Sequence, residues 1–72
     1  MQRYFLLTIK SPVLFDGFRQ WLLASDRETG TETNVRVRFV QGEGIYCVLT
    51  IIPEDSQYDK RRNECAAFGA IS

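Results

Sequence analysis

Two periods run through the apolar residues of this chain. Ile45-Tyr46-Cys47-Val48-Leu49-Thr50-Ile51-Ile52 is almost continuously apolar between Gly44 and Pro53, the pattern of a strand covered on both faces. Two alternating segments suit its flanks. From Arg3 to Lys10, Phe5, Leu7 and Ile9 point one way and Tyr4, Leu6, Thr8 and Lys10 the other. From Asn34 to Val40, Val35, Val37 and Phe39 oppose Arg36, Arg38 and Val40. Such period-two alternation predicts strands. Between them Leu14, Phe15, Phe18, Trp21 and Leu22 recur at helical spacing, which predicts a helix over residues 12–24. Ser11 supplies its N-cap and Pro12 its first position, where a missing N–H costs nothing. Gly17 weakens this helix by roughly 1 kcal/mol relative to alanine, unless it marks close packing against the sheet. The polar run Ser25 to Thr33 reads as a surface loop, either mobile or used for contact.

Gln41-Gly42-Glu43-Gly44 turns the second strand back on the third, and two registers compete. A two-residue Gly42-Glu43 turn would put Arg36 and Arg38 on the side of Ile45, Cys47, Leu49 and Ile51. A three-residue Gly42-Glu43-Gly44 loop pairs Gln41 with Ile45 and gathers the apolar side chains on one face. Burying unpaired guanidinium groups is expensive, so the longer loop is expected. After Pro53, Asp55 and Ser56 are reasonable caps for a second helix carrying Tyr58, Cys65, Ala66 and Phe68 as a thin apolar stripe, with Gly69 as a stop. A shorter helix followed by a fourth strand over residues 65–71 is the alternative, and a partly mobile tail the third.

These elements describe a small α+β domain. Residues 1–53 form a β-α-β-β core, and residues 54–72 a C-terminal helix, or a helix and a short strand. A crossover through the first helix sets strand one beside strand three, and the hairpin sets strand two on the other side. The expected sheet is three-stranded, of order 1-3-2, with helix 12–24 on one face. That arrangement is a truncated or complete ferredoxin-like split β-α-β, a name that carries no activity.

Composition narrows the functions. A chain of 72 residues buries only about 60% of its unfolded surface, and chains of this size often gain stability by oligomerising. Nine basic and nine acidic residues cancel, which removes the long-range basic field of a typical nucleic-acid binder. There is no histidine. Cys47 and Cys65 therefore complete no zinc site, and no serine or cysteine has an evident base. Glu54, Asp55 and Asp59 suit a helix start better than a calcium loop. Gly42-Glu43-Gly44 is turn chemistry rather than a phosphate loop, and Lys60-Arg61-Arg62 reads as a solvated helix face. No enzyme, metal or cofactor is expected. Without a leader or a membrane-length apolar run, the expected compartment is the reducing cytoplasm.

The informative surface is the sheet's second face: Tyr4, Leu6, Thr8, Lys10, Arg36, Arg38, Val40, Tyr46, Val48, Thr50 and Ile52. It is too apolar for a solvated face and too charged for a core. The C-terminal segment folding back over it is one account. A protein partner or a homodimer is the second, with Tyr4, Leu6, Lys10, Arg36, Arg38, Val40, Tyr46 and Val48 in contact. The third is single-stranded nucleic acid, with Tyr4 and Tyr46 stacking bases while Lys10, Arg36 and Arg38 take phosphates. RNA-recognition motifs place aromatics on the equivalent strands, but Glu43-Gly44-Ile45-Tyr46-Cys47-Val48 lacks their glycine-and-aromatic signature. The expectation is a non-enzymatic interaction or regulatory protein acting through this face, as a dimer. It would suit an accessory or inhibitor protein of the kind phages and mobile elements carry.

Overall fold

The computed structural model describes residues 3–52 and 54–72, without the side chains of residues 54–56. The element order is β1 (Tyr4–Ile9), α1 (Pro12–Thr29), β2 (Glu32–Val40), β3 (Gly44–Ile52), α2 (Glu54–Cys65) and β4 (Ala70–Ile71). The four strands form one antiparallel sheet of order β2-β3-β1-β4. The expected neighbours β1, β3 and β2 hold, with β3 between the other two. The three-stranded limit does not: residues 54–72 form a helix and a strand, and β4 docks on the far side of β1. Gly69 makes that docking possible, because a Cβ there would lie 2.1 Å from the Thr8 carbonyl oxygen. The caps expected of Asp55 and Ser56 concern side chains outside the described residues.

Parity along the strands is as the alternation predicts. Phe5, Leu7, Ile9, Ile45, Cys47, Leu49 and Ile51 are buried together with Phe15, Phe18 and Leu22 of α1. Tyr58 and Cys65 of α2 join the same core, and the Phe5 and Tyr58 rings meet edge-on at 5.7 Å. Both helices therefore lie on one side of the sheet. Ser11 caps α1 as expected, its hydroxyl accepting from the Leu14 N–H at 3.3 Å. Gly17 is exposed and has open space around it, so close packing does not account for it.

Two expectations are corrected. Helix 12–24 continues to Thr29, so the supposed loop from Ser25 to Thr33 is mostly helix and strand. Gly30, at φ 69°, closes it in the left-handed conformation, and the N–H groups of Gly30 and Thr31 both donate to the Asp26 carbonyl. That is a glycine-terminated helix end. The apolar stripe ran out at residue 24, but the helix did not need it, because its last turn is anchored by Asp26. The second correction is the hairpin. The loop is Gln41-Gly42-Glu43, and Val40 pairs with Gly44 and Phe39 with Ile45. Gly42, at φ 81°, takes the third position of a turn in which the Glu43 N–H donates to the Val40 carbonyl at 3.0 Å, where a positive φ favours glycine. The pairing moves by two residues from the expected one, an even shift, so no side chain changes face.

Candidate functional site

The open face of the sheet is built in rows that the pairing fixes. Asn34, Thr50 and Tyr4 form one, Arg36, Val48 and Leu6 the next, and Arg38, Tyr46, Thr8 and Ala70 the third. Neither helix covers them. The expectation that the C-terminal segment folds over this face is overturned, because α2 and Phe68 pack against α1 and the inner face: the Phe68 ring lies 5.5 Å from Phe18 and 5.3 Å from Trp21. Tyr4, Leu6, Arg36, Arg38, Lys10 and Tyr46 are exposed, and Val40 and Val48 half-buried.

The eight candidate residues do not form a single cluster. Tyr4, Leu6, Arg36 and Val48 meet in a shallow concavity of about 530 Å³, together with Arg3 and Thr50. Arg38 and Tyr46 stand directly opposite each other in the adjoining row, rather than on the diagonal the expected register implied. Lys10 and Val40 lie beyond them, in a separate depression beside Gly44 and Pro12. Tyr4 and Tyr46 are four residues and one strand apart, roughly 14 Å from standard strand spacings. The aliphatic pair Leu6–Val48 separates them. Lys10, Arg36 and Arg38 face outward with Glu32 as the carboxylate of the same parity on the strands. No ion pair engages Glu32, Arg36 or Arg38 among the described residues. The face is thus an apolar centre with unpaired cationic ends.

Two features escaped the sequence reading. One is a groove of about 410 Å³ on the helix side, between α1 and the inner face of β2, with Leu22, Leu23, Val35, Val37 and Phe39 in its lining. β2 lies at the sheet edge, and α1 covers it incompletely: Phe39 is 71% exposed and Val37 40%. The other is Arg61, expected on a solvated helix face and found 2% exposed. Its guanidinium donates to Asp26 Oδ1 at 2.8 Å, lies 3.7 Å from Glu64 Oε1 and stands 5.2 Å from the Trp21 ring centre. Asp26 also accepts from the Thr33 N–H and hydroxyl, at 3.0 and 2.9 Å. This carboxylate therefore ties the end of α1 to β2 and to α2. The spacing Tyr58, Arg61, Cys65, Phe68 is a helical stripe with an arginine in an apolar place, which was the available signal.

The cysteine thiols offer no reactive group. Burial pushes Cys47 up from its ordinary value and Cys65 up to about 12, with Arg61 partly opposing the shift at Cys65. A nucleophilic cysteine needs the reverse. Among the described residues no group of three or more histidine, cysteine, aspartate or glutamate side chains could hold a metal ion. No helix among them is long and apolar enough to cross a membrane. Comparison with protein-family models, with curated proteins and with solved structures gave no match.

Proposed function

We propose that this protein is a non-enzymatic interaction module of complete ferredoxin-like topology, which binds a protein partner through the open face of its sheet. The observation that carries the reading is the row Arg36–Val48–Leu6. An aliphatic centre flanked by exposed tyrosine and arginine has the composition of interface hot spots. The partner surface this face fits is apolar at its middle and acidic around it. A face-to-face homodimer fits less well, since both copies would bring Arg36 and Arg38 to the same contact. A single-stranded nucleic-acid ligand would use the same cationic groups, but stacking platforms set aromatics under successive bases, whereas Leu6 and Val48 stand between these two tyrosines.

The test pairs affinity capture from the source cell with oligonucleotide binding over a salt series. The expected result is a captured protein lost with Leu6→Glu and with Arg36→Glu, and retained with Lys60→Glu on the exposed side of α2. Salt-steep binding to single-stranded oligonucleotides, abolished by Arg36→Ala with Arg38→Ala, would replace this reading with the nucleic-acid one.

A further inference from the structure

We infer that β2 is a self-association edge, and that two copies of this chain join their β2 strands antiparallel about a two-fold axis at Val35. β2 is nine residues long, lies at the end of the sheet, and pairs with β3 from Glu32 to Val40 without a break in register. The segment Glu32–Val40 contains no proline, glycine or lysine and no bulge; what guards its outer edge is the Thr33 N–H, already bonded to Asp26 Oδ2 at 3.0 Å, and the charges of Glu32, Arg36 and Arg38. A long regular edge of this kind is a template for another strand.

Charge selects both the occupant and the register. Identical strands paired about a two-fold axis oppose residues equally distant from the axis. Same-face pairing then requires that the axis pass through a residue, because opposed side chains share a face. An axis at Val37 sets Arg36 against the partner's Arg38 twice, and an axis at Arg36 sets that guanidinium against its own copy. An axis at Val35 sets Arg38 against the partner's Glu32 at both ends, Arg36 against the partner's Asn34, and Val35 against itself. An axis at Asn34 also avoids opposed arginines but pairs only residues 32–36. The Val35 axis is the longest register in which no two guanidinium groups oppose each other. It gives Glu32 and Arg38, which form no ion pair among the described residues, an opposite charge across the axis, and sets Arg36 against the amide of Asn34. On the inner face it sets the part-exposed Val37 against the partner's Thr33, along the side where α1 leaves β2 uncovered. Because the parity is preserved, the joined sheet has eight strands, all helices on one side and one continuous open face.

The test is sedimentation velocity over a concentration series with five chains. The unaltered chain is expected to dimerise. Arg38→Glu and Glu32→Arg each replace two opposite-charge pairs with two like-charge pairs, and each should weaken the dimer roughly ten- to a hundredfold. The double exchange Glu32→Arg with Arg38→Glu restores the pairing and should recover the original dissociation constant. Circular dichroism of each variant confirms folding, which these exposed positions should not disturb. Leu6→Glu, two strands away on the open face, should leave the dimer intact while abolishing partner capture, so the two proposals fail separately. A monomer at every attainable concentration, a dimer strengthened by Arg38→Glu, no rescue in the double exchange, or a dimer lost with Leu6→Glu would each overturn the edge assignment.

Discussion

Arg61 and the pair Arg36–Arg38 are the same side chain under opposite conditions. Arg61 sits between two helices, almost wholly buried, with Asp26, Glu64 and the Trp21 ring around it. Arg36 and Arg38 stand on an open sheet, exposed, with no ion pair in the described chain. A buried guanidinium is tolerated only where its charge and its donors are met, and removing one partner leaves the other stranded. An exposed one costs the fold almost nothing and remains available to another molecule. The contrast separates an arginine used for folding from arginines left for binding.

The sharpest way to break this contrast is at Arg61. Arg61→Ala should lower the unfolding free energy by about 3–5 kcal/mol, the usual cost of stranding one member of a buried pair. A domain of this length has roughly 4–11 kcal/mol in all, so the variant should lose about a third or more of its stability, read as a lowered midpoint in urea titration. Its Nε has no hydrogen-bond partner among the described residues, so even the intact pair is imperfectly satisfied, which bounds the loss from above. A change under about 1 kcal/mol would show that Arg61 is solvated in practice and that the junction of α1, β2 and α2 is held by its apolar contacts alone.

Cys65, one turn from Arg61 on the same stripe, sharpens the comparison through pH. Its folded thiol keeps its proton up to about 12, while the unfolded thiol ionises near 9.0. The unfolded state thus binds fewer protons across that window, and stability is full below it and falls as pH rises through it. The slope from this one group approaches 1.4 kcal/mol per pH unit at most. Melting temperatures measured from pH 8 to 11 should fall less steeply for Cys65→Ala than for the unaltered chain. Equal slopes would mean that water reaches the thiol.

How much of this was legible in the sequence follows from how each signal arises. Strand parity was, because alternation over Phe5–Ile9 and Val35–Phe39 is a local pattern that only one sheet face can absorb. The order of β1, β3 and β2 followed from that and from connection length. The end of α1 was not, since Ser25 to Thr29 carry no apolar stripe and are held by Asp26 bonding to residues of β2 and α2, which is tertiary information. Arg61 was hidden for the same reason: a cation in a stripe is buried only if a carboxylate arrives from elsewhere, and Asp26 lies 35 positions away. The hairpin was read to the correct faces but two residues out of register, because Gly42 and Gly44 both accept a positive φ and the sequence offers no further choice between them. The candidate face was read as a list, and the pairing sorted it into a concavity around Arg36 and outliers at Lys10 and Val40.

The smallest expected effect is the most telling about function. Arg36→Ala and Arg38→Ala, singly or together, should leave the unfolding free energy within about 0.5 kcal/mol of the unaltered chain, as for surface positions without partners. Arg38 stands directly across from Tyr46, and a cross-strand pair of this kind contributes at most about 1 kcal/mol. A larger loss in urea titration would mean that these arginines hold the β2–β3 pair together, and the open face would then be a structural surface whose charges are already used. A loss within the expected range leaves two cations on a stable platform, in rows fixed to the aliphatic pair Leu6–Val48, with no work to do inside their own chain. Stability that ignores them, together with association that requires them, is the combination that distinguishes a docking surface from an exposed piece of scaffold.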